Sequence, residues 1–319
     1  MSLNISLLQP QINSSFGDGQ ATVDTFLLNI EIVFCFIIII LGTIGNGLVI
    51  WVAGVWLRTK VTYVWLVNLA IADFIFCLTR AISLAQKYQG DWTFGVFLCK
   101  FNAFFKYANI FCSVFLLAVI SLDRALCVLR PVFTKQHRTV CAARLVSAVV
   151  WVVALIMSAP YFIYWKVYPA KNRHKCGLKG DDGEPAKMAL IVIRILCGFI
   201  LPFVVILWCS VLAGVGIRRT NLTGKSRPLR MLVALVSAFF LCWAPYHCFR
   251  LAKVIDSKNQ TIKVGLVLTK SLAYFNSCVN PVLYFCMGLK HGWLRQFRNA
   301  VVYHPAIRGD TPNGSSSSP

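Results

Sequence analysis

The chain has 319 residues, 58% hydrophobic and only 13% charged, with 32 Lys and Arg against 11 Asp and Glu. A soluble domain carries about 25% charged residues, which excludes a chain that mostly faces water. No nucleic-acid partner is expected, because the bases follow the loops between long apolar runs.

The head, residues 1–26, is polar and has neither the basic start nor the apolar core of a signal peptide. It carries two glycosylation acceptors, Asn4 in Asn4-Ile5-Ser6 and Asn13 in Asn13-Ser14-Ser15. Seven apolar runs follow, at roughly 27–54, 61–86, 97–129, 141–164, 188–216, 230–254 and 263–287. Each is long enough for a spanning helix of ~20 residues. None shows period-two alternation, so helices are favoured over a barrel. The first run serves as the insertion signal. The loops "LRTK", "LRPVFTKQHRT" and "IRRTNLTGKSRPLR" carry bases and no acid, which predicts that they are cytoplasmic and that the N-terminus is outside. Of thirteen cysteines, eleven lie in the apolar runs as small apolar side chains; Cys99 and Cys176 lie near water on the oxidising side, and one bridge follows.

Beyond the seventh run, "GLKHGWLRQFRNAVVYH" spaces Trp293, Phe297 and Val301 four apart among bases. Residues 288–303 therefore read as a short amphipathic helix on the inner membrane surface, or as a frayed tail. Residues 304–319 are disordered by composition, with serines open to phosphorylation.

Polar residues inside the runs carry the functional signal. Asp73 is deep in apolar sequence, where an ionisable group is costly and by default functional. Asn109 and Ser113 are four apart on one run, Asn276 and Asn280 four apart on another, so each pair lines one helix face. The set is either a cation site of oxygen ligands or a dry hydrogen-bond network. Seven residues outward from Asp73, Ser113, Trp243 and Ser277 stand Arg80, Lys106, Arg250 and Lys270, and Arg194 lies eight before Pro202. A base costs ~2.5–3.5 kcal/mol at a span's centre. Snorkelling, or pairing with loop acids Asp181, Asp182 or Glu184, answers for any one of them. Five on five runs favour an anionic ligand held by charge-assisted hydrogen bonds. Finally, the run at 113–133 is broken by an adjacent acid and base, Asp123 and Arg124.

These positions carry a resemblance. Asn46 in "GTIGNGLVI", Asp73 in "LVNLAIADF", Asp123-Arg124, Trp151, Pro202, "CWAPY" at 242–246 and "NPVLY" at 280–284 fall one to a run, in order. The chain resembles the rhodopsin-type (class A) G-protein-coupled receptors: an all-α membrane protein, a seven-transmembrane helix bundle over 27–287 with a short amphipathic C-terminal helix. "SLDRALCVLRPVFTKQHRTV", "FFLCWAPYH" and "FNSCVNPVLY" resemble the chemoattractant branch, including the formyl-peptide, chemerin, anaphylatoxin and second prostaglandin D2 receptors. "LRPV", "SAPYFIYW" and "LAYFNS" look nearest to the last.

The resemblance implies a plasma-membrane receptor of chemotaxis and inflammation with an inhibitory-type G protein and arrestin as partners. It implies that Asp123 restrains Arg124 at rest, that Trp243 and Pro245 form a switch under the ligand, and that Asn280, Pro281 and Tyr284 form another. It also implies an allosteric sodium ion at Asp73, Asn109, Ser113, Asn276 and Asn280, and Trp92 packed on the Cys99 bridge. Lys106 stands where amine receptors carry Asp, so a cationic amine is not expected. Formyl-peptide receptors carry an acid where this chain has Tyr107, and a second arginine where it has Leu190. A carboxylate lipid mediator such as a prostaglandin, or a peptide carboxylate, therefore fits the expected site of Arg80, Lys106, Tyr107, Arg194, Arg250 and Lys270 better. Two further departures, Ala125 after the Asp-Arg pair and Ser210 in place of Tyr, keep a non-signalling decoy receptor as the alternative. A channel or transporter is expected to show internal repeats or paired broken helices, which are not seen. An intramembrane enzyme needs a catalytic constellation that the five histidines do not supply, with His247 alone on its run.

Overall fold

The computed structural model describes residues 9–56, 60–170, 173–178, 184–220, 226–256 and 259–288. The first crossing comprises α1 (Gln9–Ile37) and α2 (Thr43–Trp51), each followed by a π-helical turn, at Ile38–Gly42 and Val52–Trp56. Then come α3 (Val61–Gln89), α4 (Gly95–Leu129), the short α5 (Pro131–His137) and α6 (Val140–Tyr164). A hairpin of β1 (Lys166–Ala170) and β2 (Arg173–Gly177) precedes α7 (Glu184–Ile195), a π turn at Leu196–Ile200, α8 (Leu201–Thr220), α9 (Ser226–Ile255) and α10 (Gln260–Gly288). Each of the seven expected runs is helical. The first helix begins earlier than expected, at Gln9, so that Asn13 falls within it; Asn4, the amphipathic segment after 288 and the tail lie outside the described residues.

Among the described residues, six segments are long and apolar enough to cross a bilayer, from Thr22–Gly54 to Leu232–Ile255. The seventh helix, α10, falls short because Lys270, Asn276, Ser277 and Asn280 interrupt its apolar residues. It is a spanning helix only because the bundle gives those groups partners. α6 shows the opposite case: Leu145, Val149, Val152 and Ile156 are exposed, as a lipid-facing stripe requires. Its inward Ser147 and Ser158 donate to their own helix carbonyls, Ala143 O at 2.9 Å and Ala154 O at 2.7 Å. Trp151 Nε1 donates to Asn68 Oδ1 at 3.0 Å and joins α6 to α3. The centre of the core is where α3 and α4 meet, at Leu69, Ala70, Phe111, Val114 and Leu116. Gly42 ends its π turn against α3: a Cβ there would lie 2.3 Å from Cys77 Sγ.

The hairpin was not expected in an all-helical chain. Its strands are short and one holds Pro169, which hides the strand signal. A lone two-stranded ribbon is marginal; here Val167 pairs with Cys176, and Cys176 is bridged to Cys99 of α4 as expected. Asp91 pins the same end, accepting the backbone N–H of Trp92 at 2.8 Å and of His174 at 2.5 Å. Those N–H groups, His174's first, hold its carboxyl below the usual carboxylate range. Trp92 is buried and its indole donates to Gly95 O at 2.8 Å, so its lock is the α3–α4 turn.

α10 is clasped to the first crossing by charge. Glu31 of α1, only 8% exposed, pairs with Lys87 of α3 and Lys270 of α10. Replacing it strands two ammonium groups. Glu31→Gln is expected to lower the thermal midpoint of the purified protein, at a cost in stability below the ~3–5 kcal/mol lost with a fully buried pair. The lysines temper the loss, since Lys87 and Lys270 stay 21% and 33% exposed. An unchanged midpoint would show that the clasp holds nothing.

Candidate functional site

Three polar centres lie along the bundle. At mid-depth, Asp73 is fully buried. Its Oδ1 accepts Asn109 Nδ2 at 2.9 Å and Ser277 Oγ at 2.8 Å, and its Oδ2 accepts Asn280 Nδ2 at 2.7 Å. Asn109 also lies 3.4 Å from Ser113 Oγ. Every donor is neutral. The acceptor oxygens of Asn276 and Asn280 are buried without a donor among the described residues. Two members were not assigned to this set from the sequence: Ser277, and Asn46, whose Nδ2 donates to Gly42 O and Ser277 O, each at 2.9 Å. Ser277 was visible as the inward polar position from which Lys270 is counted, and Asn46 as a polar residue within the first run.

At the disulfide end, four of the five expected bases have no carboxylate partner among the described residues. Arg80 is buried; one Nη donates to Asn102 Oδ1 at 2.8 Å, and its guanidinium carbon lies 4.7 and 5.3 Å from the Phe76 and Tyr274 ring centres. Lys106 Nζ lies 4.5 Å from the ring centre of Tyr107 and 5.2 Å from that of Trp165. Arg194, 2% exposed, donates one Nη to Tyr107 Oη at 3.3 Å, while its Nε and other Nη have no acceptor among the described residues. Arg250 likewise has a buried Nε without an acceptor among the described residues. Tyr107 is fixed by stacking on Tyr161 at 3.4 Å, and Tyr161 Oη donates to Leu190 O at 3.0 Å. Aromatic faces stand in for counter-ions here, worth about 0.5–2 kcal/mol each.

The fifth base is different. Lys270 was expected to point uncompensated at the cavity with the others; it is paired with Glu31. Glu31 was missed, although an acid inside "LLNIEIVFCF" is itself a sequence signal. The loop acids Asp181 and Asp182 lie outside the described residues. A cavity of about 590 Å³ holds Glu31, Arg80, Lys87, Lys106, Lys175 and Lys270 in its wall, and a second of about 570 Å³ holds Lys187, Arg250 and Lys253. Below them Trp243 packs at the level of His247, with ring centres 6.0 Å apart. The Trp243 indole nitrogen and both imidazole nitrogens are buried without hydrogen-bond partners among the described residues.

At the opposite end Asp123 holds two guanidiniums. Arg124 contacts Oδ2 through Nη2 and Nε, the latter at 3.1 Å. Arg138 donates Nε to Oδ1 at 2.7 Å and Nη2 to Oδ2 at 3.1 Å. Thr62 Oγ1 accepts from both arginines, at 3.3 and 3.2 Å. Arg138 and Thr62 were not foreseen. Arg138 is brought in by α5 and by the start of α6, where Thr139 Oγ1 caps Ala142 N at 3.1 Å. Ala125 is buried with Cys209 and Ala213 in a close contact of α4 with α8. The Ser210 and Tyr284 hydroxyls are buried and unpartnered among the described residues. Pro245 and Pro281 lie inside α9 and α10, where each removes a helix hydrogen bond.

Comparison with known proteins agrees with this arrangement. Residues 45–284 match the seven transmembrane receptor (rhodopsin family). The chain is 38% identical over 321 residues to formyl peptide receptor 2 of Mus musculus, covering 94% of this chain and 91% of that receptor. It is 36% identical over 330 residues to the fMet-Leu-Phe receptor of Macaca mulatta, covering 95% of each. With N-formyl peptide receptor 2 of Homo sapiens it shares 35% over 321 residues, 92% of each. A buried carboxylate at mid-depth, an Asp-Arg pair at one end and a bridged, cation-lined cavity at the other thus stand in a multi-pass plasma-membrane protein that is no enzyme: the chain belongs to the rhodopsin-family G-protein-coupled receptors, on their chemoattractant branch.

Proposed function

We propose that this receptor senses an anionic chemoattractant at its disulfide end and answers by releasing Arg124 to an inhibitory-type G protein. The observation that carries the reading is the set Arg80, Lys106, Arg194 and Arg250, none with a carboxylate partner among the described residues, around cavities at one end of the bundle. A carboxylate reaching Arg194 would give its bare Nε and Nη acceptors, in hydrogen bonds worth about 1.5–3 kcal/mol each. The basic loops orient that end outward, with the N-terminus and the glycan sites Asn4 and Asn13 outside the cell.

The ligand is a peptide with a free carboxylate or a carboxylate lipid mediator of the prostaglandin kind. The relatives named for formyl peptides support a peptide. Tyr107 supports a negatively charged one: the phenol that meets Arg194 is neutral, so the site keeps its positive charge. In the relay, ligand bound above Trp243 shifts α9 at Pro245 and α10 at Asn280, Pro281 and Tyr284, and Arg124 leaves Asp123. Arrestin is the expected second partner on the same face. A sodium ion at Asp73 belongs to the resting state of this reading. The fit is good: Asp73 has no cationic partner among the described residues, and Ser113 Oγ, Asn276 Oδ1 and Asn280 Oδ1 add the oxygen ligands that a hard cation takes.

Among agonists found by screening carboxylate lipids and peptides on expressing cells, Arg194→Glu or Lys106→Glu is expected to abolish the response while surface expression persists. Unchanged potency in both would reject the pocket. Arg124→Ala is expected to remove the agonist-driven fall in cyclic AMP; arrestin recruitment with no cyclic AMP change even in the unmodified receptor would make it a decoy. Raising sodium is expected to weaken agonist binding several-fold in the unmodified receptor and not in Asp73→Asn, and equal sodium sensitivity in both would reject the ion.

A further inference from the structure

The cationic end is divided in two. The cavities of about 590 and 570 Å³ each fall within the usual ~300–1,000 Å³ of a ligand pocket. Trp165 stands in the wall of both. Beside the second cavity a small cleft of about 20 Å³ is lined by Tyr107, Tyr161, Trp165, Arg194 and Arg250. Trp165 is held as a partition, edge-on to Tyr107 at 5.7 Å and with Lys106 Nζ 5.2 Å from its ring centre.

The two lobes have separate charge balances. In the larger, Glu31 is engaged by Lys87 and Lys270, which leaves Arg80 and Lys106 with ring, amide and hydroxyl contacts and no carboxylate among the described residues. The smaller is walled by Arg250 and Lys253, with no acid among the described residues that line it. One carboxylate cannot serve both lobes, because the Trp165 partition lies between them. A single acid docked at Arg80 and Lys106 leaves Arg250 and Lys253 unanswered, and the converse holds.

We propose that the ligand is a dianion with its two acidic groups at separate positions: a short acidic peptide that sets one carboxylate against Arg80 and Lys106 and the other against Arg250 and Lys253, with its backbone crossing over Trp165. Arg194, in the small cleft beside Trp165, meets the segment between them. A peptide supplies this chemistry through its C-terminal carboxylate and one acidic side chain; a lipid with one carboxylate does not. The inference rests on the anion-sensing reading above and narrows it.

The test uses the full-length purified receptor and short Leu- and Ala-based peptides carrying one Glu at varied distance from a free C-terminus. Each peptide is compared with its Gln analogue, its C-terminal amide and the form with both changes, and binding is read by competition and by thermal stabilisation. At the best spacing, the dianionic peptide is expected to bind at least about ten-fold more tightly than either monoanion, about 1.4 kcal/mol. Lys253→Gln is expected to bring the dianion to the affinity of a monoanion, and Lys253→Arg to keep the gain; because the conservative variant retains the charge, loss through misfolding is separated from loss of contact. A dianion no tighter than the better monoanion at every spacing would overturn the two-site ligand. Lys106-dependent binding of monoanions would then still uphold anion sensing, whereas equal binding of the doubly neutral peptides would overturn both.

Discussion

Every charge placed inside an apolar bundle must be answered from within, because lipid offers nothing to an ion. Three acids in this chain are answered in three ways, at three depths. Glu31 takes two lysines, Asp123 takes two arginines, and Asp73 takes three neutral donors. Each arrangement joins segments that are distant in sequence: α1 with α3 and α10, α4 with the start of α6, α3 with α4 and α10. The polar groups that disqualify α10 as an autonomous apolar span are the same ones that fasten it to its neighbours.

Once the acids are taken, what remains is positive. Arg80, Lys106 and Arg194 rest against rings and neutral oxygens, contacts that hold a cation without neutralising it, and Arg250 has a buried Nε with no acceptor among the described residues. The chain Arg194–Tyr107–Tyr161–Leu190 O shows how this is done in hydrogen bonds and stacking. An acid at Tyr107 would close a salt bridge and leave the guanidinium satisfied. The phenol accepts one N–H, keeps the arm straight, and leaves two nitrogens open. Preorganised but unsatisfied donors are the economical way to bind an anion, since their desolvation is met during folding rather than at the encounter.

Much of this was legible in the sequence, for reasons of length scale. Helical spacing carries seven-residue counts over two turns, so the bases Arg80, Lys106 and Arg250 and the neighbours Asn109 and Asn280 of Asp73 were legible, and the disulfide followed from which cysteines lay outside apolar runs. What was lost involved partners that no local spacing connects. Glu31 and Lys87 are 56 residues apart, and only the packed bundle brings them together. Arg138 lies in a loop whose basic residues were read only as a topology signal; the α5 turn that carries it back to Asp123 leaves no apolar period in so short a segment. The hairpin was hidden by Pro169 and by strands of five residues, and it stands because a bridge and an Asp91 clamp hold it.

The second arginine on Asp123 changes the energetics of the proposed relay. Breaking a pair in a low-dielectric boundary is costly chiefly when it leaves a charge alone. Asp123 keeps Arg138, held on both carboxylate oxygens, when Arg124 departs, so release does not strand the acid. Thr62 likewise keeps a donor, because both guanidiniums reach it. The departing Arg124 loses the most, and with Ala125 and Ser210 in place of tyrosines it finds fewer hydroxyls on the way. The equilibrium is thereby set by what Arg124 meets outside the bundle. A G-protein peptide offering acceptors to the guanidinium has only to replace contacts that the remaining groups do not need. A resting state secured by a shared carboxylate is therefore tight in the absence of that partner and inexpensive to leave in its presence.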